Sequence, residues 1–314
     1  VKILLTGACG FVGPYLSKAL LAAGHQVYGT VFGSESSDDQ LISEANLFSC
    51  DLQDSKSIKG VVEKCQPEGV FHLAGISFVP EANSDFQKTL SVNVGGTFNL
   101  LNALKELNKE IKVIVVSSGD VYGKVRPSDL PISEQCQAKP ANNYSLTKVL
   151  VEELVGFFNS DSKLRISIAR PFNHIGPGQD SRFVVASFAE QVARIKLGKQ
   201  KPVLRVGNLS ARRDFTDVRD IVRGYLSMLK TDPGLYNLCS GTSVSIQSIL
   251  DQLIQLGGVE VEVKTDPERL RPSDVPEIKG DFSLINSKTG WKPTISLNQS
   301  LGDILEQIIT RESS

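Results

Sequence analysis

Short apolar runs rich in β-branched residues alternate with helix-spaced apolar patterns through the first half of the chain. Residues 2–6, 26–31, 47–49, 69–73, 112–117 and 165–169 read as strands. The stretches "GVFHLAG" and "KVIVVSSG" are almost continuously apolar, as expected of strands covered on both faces. Between the strands, residues 12–23, 58–65, 86–107 and 144–158 read as helices. Repeated strand–helix–strand units predict an α/β fold: a parallel sheet flanked by helices, with right-handed crossovers.

After "RPFNHIGPGQ" the regularity breaks. Residues 183–197 read as a helix, "PVLRVG" as a strand and "DVRDIVRGYLSMLK" as an amphipathic helix. "LYNLCSG" is another strand, followed by helices over 246–256 and 297–309 with a proline-punctuated loop, "DPERLRPSDVP", between them. Residues 1–169 with about 213–256 are predicted as one unit around the sheet. Residues 170–212 with about 257–314 are predicted as a smaller α/β lobe at the ends of its strands. The polar run "SESSDD" at 34–39 reads as a surface loop.

Composition narrows the function classes. The chain has 314 residues and a formal net charge of −1, which speaks against a general nucleic-acid or acidic-membrane binder. No apolar run approaches the ~20 residues that cross a bilayer. The opening "VKILLTG" reads as a strand and turn, so no signal peptide is expected. Five scattered cysteines, at 9, 50, 65, 136 and 239, point to reduced thiols in a cytoplasmic protein. Three histidines far apart in sequence, His25, His72 and His174, predict no metal site.

The first strand runs straight into "TGACGFVG", with glycines at 7, 10 and 13. An early glycine permits the tight turn, a middle one lets the backbone approach a pyrophosphate, and the last lets helix pack on strand. The phosphates would then sit at the positive end of the first helix. The three-and-three spacing departs from the usual G-x-G-x-x-G. At the end of the second strand, "VYGTVFGSESS" offers neither the acid that suits NAD nor the arginine that suits NADP. Thr30, Ser34 and Ser36 would bond a phosphate, whereas Glu35, Asp38 and Asp39 would repel one, so both cofactors stay open.

A tyrosine and a lysine four residues apart in "NNYSLTK" share one helix face. Alone, the pair reads as a surface tyrosine beside a solvated lysine. With "TGACGFVG", "CDLQD", "HLAG" and "VVSSGDVYG" ahead of it in order, the chain resembles the extended short-chain dehydrogenase/reductases along nearly its whole length. The resemblance implies a Rossmann-type sheet and an NAD(P)H-dependent oxidoreductase. Gly7, Gly10, Phe11, Val12 and Gly13 would then hold the cofactor. Asp51 and Leu52 would border its adenine, and Leu73, Ala74, Gly75 and Asn93 would line the rest. Ser118, Tyr144 and Lys148 would form the catalytic set, with Tyr144 and Lys148 also touching the cofactor. Free tyrosine titrates near about 10, and a lysine ammonium beside it would pull the phenol toward the working range.

The second half resembles the nucleotide-sugar branch, through "RPFNHIGPGQ", "VGNLSARRDFTDVRD", "RLRPSDVPEIKGD" and "TGWKP". The wording is similar to GDP-mannose 4,6-dehydratases and, more closely, to reductases of GDP-4-keto-6-deoxy-D-mannose that form GDP-D-rhamnose. By this resemblance Asn173, Arg213 and Arg271 would contact the nucleotide diphosphate with Asp274 nearby, and Ser118 would orient the substrate oxygen. A dehydratase needs an extra acid and base, and carries a glutamate two residues after the catalytic hydroxyl. Asp120 stands there instead, one methylene shorter, and 175–179 lacks the dehydratases' acidic, arginine-rich stretch. Both departures favour plain reduction at C4. The alternatives are a dehydratase or epimerase and, against the presence of the Tyr–Lys pair, a non-catalytic dinucleotide sensor. His174 and Trp291 read as packing residues. Leu90, Val94, Phe98 and Leu101 spread apolar surface over more than one helix face, and the family pairs helices 86–107 and 144–158 across a homodimer axis.

Overall fold

The computed structural model describes residues 1–33, 46–160, 163–269 and 275–313. The first strands are β1 (Lys2–Thr6), β2 (Gln26–Val31), β3 (Leu47–Ser49), β4 (Gly69–His72), β5 (Ile111–Val116) and β6 (Leu164–Pro171). The later ones are β7 (Asn173–Ile175), β8 (Val203–Val206), β9 (Arg212–Asp217), β10 (Leu235–Leu238), β11 (Ser243–Ser245) and β12 (Glu262–Thr265). Helices α1 (Gly13–Ala22), α2 (Ser55–Cys65), α3 (Val79–Ser84), α4 (Phe86–Leu90), α5 (Gly96–Glu106) and α6 (Asn143–Ser160) interleave the first six strands. Helices α7 (Val184–Lys196), α8 (Val218–Met228), α9 (Ile246–Gly257), α10 (Ser283–Thr289) and α11 (Leu297–Ser313) follow.

Seven strands make one parallel sheet in the order β10-β6-β5-β4-β1-β2-β3. Every residue of β4 is buried, which is what a central strand with helices on both faces demands. One face packs on α2, α5 and α6 through Val62, Leu100, Leu104, Val151 and Val155. The other packs on α1, α8 and α10 through Leu16, Leu20, Ile221, Tyr225 and Ile285. This is the α/β Rossmann-type architecture expected above. The smaller lobe has a β11-β9-β7 sheet, a β12-β8 pair and its own core, where Phe188, Val192, Leu250, Leu253, Leu301 and Ile304 join α7, α9 and α11.

The two lobes divide the chain differently from the expected boundaries. Helix α9, expected with the sheet, puts Ile246, Ile249, Leu250 and Leu253 into the smaller lobe's core. Helix α10 and Trp291, expected in the smaller lobe, pack on the sheet instead. Residues 86–107 are not one α-helix: a π turn at Ser91–Gly95 separates α4 from α5. Its cause is local. The Asn93 side chain bonds the Ile76 backbone and Thr147, and the Thr97 hydroxyl donates to the Asn93 carbonyl. These bonds open the helical ladder by one residue.

Candidate active site

The chain leaves β1 and β4, neighbours in the sheet, in opposite directions, so their carboxyl ends open a crevice. The glycine turn fills one wall. Gly7 has φ 71°, and a β-carbon there would lie 2.9 Å from the Ala74 nitrogen. A β-carbon on Gly13 would strike the Ala8 carbonyl oxygen, so only glycine lets α1 start this close to β1. Gly10 is exposed, and a β-carbon there would meet only the Gly7 oxygen at 3.4 Å. Its backbone is open to a ligand at the N-terminus of α1. The cradle therefore fits a dinucleotide pyrophosphate. Phe11 and Val12 complete the turn, and the Phe11 ring stacks on His174 at 6.0 Å with planes 4° apart.

Leu73, Ala74 and Gly75 follow β4 on the opposite wall, and Asn93 Oδ1 is the nearest atom to a β-carbon built on Gly75. Asp51 and Leu52 follow β3. Asp51 accepts a bond from the Gln53 nitrogen, and Leu52 packs under Gly96 while its carbonyl accepts from Asn99. Ser34, Glu35, Ser36, Asp38 and Asp39 lie outside the described residues, with the rest of the loop expected at 34–39.

Ser118, Asp120, Tyr144 and Lys148 come together at the end of β5. Ser118 caps the 3-10 turn Gly119–Tyr122 and accepts the Asp120 N–H at 3.1 Å. Its hydroxyl lies close enough to the Tyr144 phenol to act against the rise of that phenol's pKa. Lys148 lies one turn along α6, its Nζ 5.8 Å from the centroid of the Tyr144 ring and donating to the Val116 carbonyl at 2.8 Å. Burial, and then the Asp120 carboxylate, push the Tyr144 pKa above its ordinary value, against the Ser118 hydroxyl. This differs from the expectation that the phenol is pulled down: the Lys148 ammonium, 5.8 Å from the ring centroid, does not outweigh burial. Burial lowers the Lys148 pKa to about 8, with Glu152 acting against it.

Residues 4–304 match the family described as GDP-mannose 4,6 dehydratase. A GDP-6-deoxy-D-mannose reductase of Pseudomonas aeruginosa is 38% identical over 97% of this chain and 96% of its own. The chain belongs to the GDP-mannose 4,6-dehydratase family. A GDP-6-deoxy-D-talose 4-dehydrogenase of Aggregatibacter actinomycetemcomitans is 30% identical over 92% of both chains. A solved structure of a Pseudomonas aeruginosa protein in complex with NADPH superposes with TM-score 0.88 at 36% identity, covering 99% of each chain.

Of the residues expected to contact the substrate, Asn173 is exposed on β7 and pairs in register with Phe215 of β9. Arg213, two residues before Phe215, directs Nη1 to the Arg212 and Val275 carbonyls. Arg271 and Asp274 lie outside the described residues. His174 bonds the Phe172 carbonyl through Nδ1, and burial lowers its pKa. Trp291 is buried, edge-on to Phe282, and donates its indole N–H to the Asp220 carbonyl. Among the described residues no group of three or more His, Cys, Asp or Glu could hold a metal ion.

Sequence reasoning missed the polar residues behind the site. Ser117 and Arg170 both bond Glu152. A second chain runs under the turn, from Thr6 to His72 Nδ1 at 2.7 Å and from His72 Nε2 to Thr97 at 2.9 Å. Since Thr97 donates onward to Asn93, it accepts from His72, which fixes the Nε2–H tautomer. Burial lowers the His72 pKa to about 3, so the ring stays neutral. Glu152 alone had a sequence signal: it continues the Tyr144, Lys148 row by another four residues.

Proposed function

We propose that the protein reduces the C4 ketone of GDP-4-keto-6-deoxy-D-mannose to a GDP-6-deoxyhexose with NADPH or NADH. The observation that carries this reading is the buried phenol of Tyr144, with Ser118 beside it and the Lys148 ammonium 5.8 Å from its ring, in the crevice beside the glycine turn. The reductase and 4-dehydrogenase relatives support ketone chemistry, and the NADPH-bound neighbour supports the cofactor. Gly7, Gly10, Phe11, Val12 and Gly13 would hold the pyrophosphate. Asp51 and Leu52 would border the adenine, and Leu73, Ala74, Gly75, Asn93 and Lys148 would line the remainder. Bound there, the dinucleotide supplies a hydride.

The protein's own part is proton transfer. A raised pKa keeps Tyr144 protonated at neutral pH, the form that donates to a ketone oxygen as that oxygen gains charge. Ser118, beside the Tyr144 phenol, would donate its one hydroxyl proton to the substrate oxygen. Lys148, cationic at neutral pH, favours the phenolate left behind. Asn173, Arg213 and Arg271 would hold the nucleotide diphosphate, with Asp274 nearby; an arginine fork suits phosphate. The second reading, a 4,6-dehydratase, is favoured by one observation: the Asp120 carboxylate lies close enough to raise the Tyr144 pKa. Elimination would need such an acid or base.

The test supplies purified protein with GDP-4-keto-6-deoxy-D-mannose and NADPH, then NADH. Stoichiometric loss of nicotinamide absorbance with a GDP-6-deoxyhexose product supports reduction. Conversion of GDP-mannose to the keto sugar without net cofactor loss overturns it in favour of the dehydratase. The relatives' names differ in the hydroxyl configuration at C4, so NMR of the product separates a rhamno from a talo outcome.

The same reading includes a homodimer through α4–α5 and α6. Phe98, Leu146, Leu150 and Phe157 lie exposed there, Phe157 at 58%. Phe157→Glu should halve the mass in sedimentation without lowering the melting temperature; an unchanged mass for a native dimer would place the interface elsewhere. A cytoplasmic location fits the free state of all five cysteines; full activity of protein made only in an oxidising compartment, with a paired cysteine, would contradict it. No helix among the described residues is long and apolar enough to cross a membrane.

A further inference from the structure

Three consecutive residues at the end of β5 meet three rungs of α6. The Val116 carbonyl takes Lys148 Nζ, the Ser117 hydroxyl donates to Glu152 Oε1, and Ser118 faces the Tyr144 phenol. Tyr144, Lys148 and Glu152 are spaced by four and stand on one face of the helix. Arg170, at the end of β6, grips Glu152 with Nε and Nη2, and its guanidinium lies 4.6 Å from the centroid of the Tyr122 ring. The pair is nearly closed to solvent, at 6% and 10% side-chain exposure.

We propose that Glu152, clamped by Arg170 and Ser117, is a positioning residue that keeps Lys148 cationic and holds Tyr144 in register with Ser118. This rests on the roles given to Tyr144 and Lys148 above. Several charged or titratable groups face this pair. His72 comes from β4 and is neutral, Asp120 follows β5, and Tyr225 of α8 lies within electrostatic reach of Tyr144. Arg170 stands behind Glu152, with Tyr122 and Glu134 around it. Of these, Glu152 is the group that opposes the loss of the Lys148 proton on burial. The carboxylate therefore offsets part of the cost of burying the ammonium.

The test titrates cofactor-free protein carrying 13Cε-lysine by NMR, with the Lys148 signal assigned through Lys148→Arg. Glu152→Gln should lower the Lys148 midpoint by about one pH unit, and the alkaline limb of kcat should move the same way. Glu152→Asp keeps the charge, so it should leave the midpoint in place. Its shorter arm should nonetheless lower kcat roughly tenfold by shifting the register. Should Glu152→Gln not fold, the double variant Glu152→Leu, Arg170→Met removes both charges without leaving one unpaired. It should lower the midpoint by a smaller amount. An unmoved midpoint in the folded Gln or double variant overturns the proposal. The NMR titration needs no substrate, so its outcome is separate from whether the sugar-nucleotide reading holds.

Discussion

Two parts of this chain bury ionisable groups, and they treat them differently. In the segment from β9 into α8, three aspartates spaced by three are each surrounded by donors. Asp214 accepts from the Ser240 nitrogen and hydroxyl and from the Gly241 and Gly280 nitrogens. Asp217 caps α8, pairs with Arg219 and accepts from Ser300. Asp220 takes the Thr294 and Ile295 nitrogens and pairs with Arg223. These carboxylates tie β9 and α8 to loops distant in sequence, although burial still raises the Asp214 pKa. On α6, by contrast, burial drives the Tyr144 phenol and the Lys148 ammonium toward their neutral forms, and few partners resist it. Satisfied charge organises the junction of the lobes. Poorly satisfied charge lies where the proposed proton transfer would take place.

The contrast predicts opposite responses to substitution. The largest effect belongs to Tyr144→Phe, which should cut turnover by about 10³-fold or more while leaving the melting temperature and NADPH affinity near native. Normal turnover would remove Tyr144 from the chemistry. Asp214→Asn comes next: it sets an amide NH2 against two of the four donors, and should cost about 3 kcal/mol in urea unfolding. A native unfolding midpoint would show that the carboxylate is not a tie.

Lys148→Met should abolish turnover yet stabilise the chain by up to about 3 kcal/mol at neutral pH. The sign follows from the lowered folded pKa. Between about 8 and 10.5 the unfolded chain binds the proton that the folded chain has released, so native stability rises with pH there. The gap between variant and native chain should close across that window, and a constant gap would contradict the burial cost. The smallest effect is that of Tyr225→Phe. The Tyr225 hydroxyl is buried without a hydrogen-bond partner among the described residues, so its removal should be neutral or stabilise by roughly 1 kcal/mol. A loss larger than that would reveal a partner.

How much of this was legible in the sequence follows the same division. The central strands β4 and β5 announced themselves because both faces are covered, leaving few polar positions to blur the run. The glycine turn and the Tyr144, Lys148 spacing were equally plain, being local. β9 was not legible: "RRDFTD" looks like a loop until its aspartates find Ser240, Gly280 and Ser300 from far along the chain. The π turn was hidden for the same reason, since Asn93 is held by Ile76 and Thr147. Glu152 could have been read from its spacing, but Arg170 looks like the polar end of an apolar strand until β6 brings it beside α6.

The most direct test of ketone reduction supplies the protein with GDP-4-keto-6-deoxy-D-mannose and NADPH deuterated on the transferring face, and locates the label by NMR. Reduction by the Tyr144 site predicts one deuterium at C4 of the GDP-6-deoxyhexose for each NADPH consumed. An unlabelled C4 with NADPH unconsumed, and conversion of GDP-mannose carrying deuterium at C4 into a product labelled at C6, would contradict it.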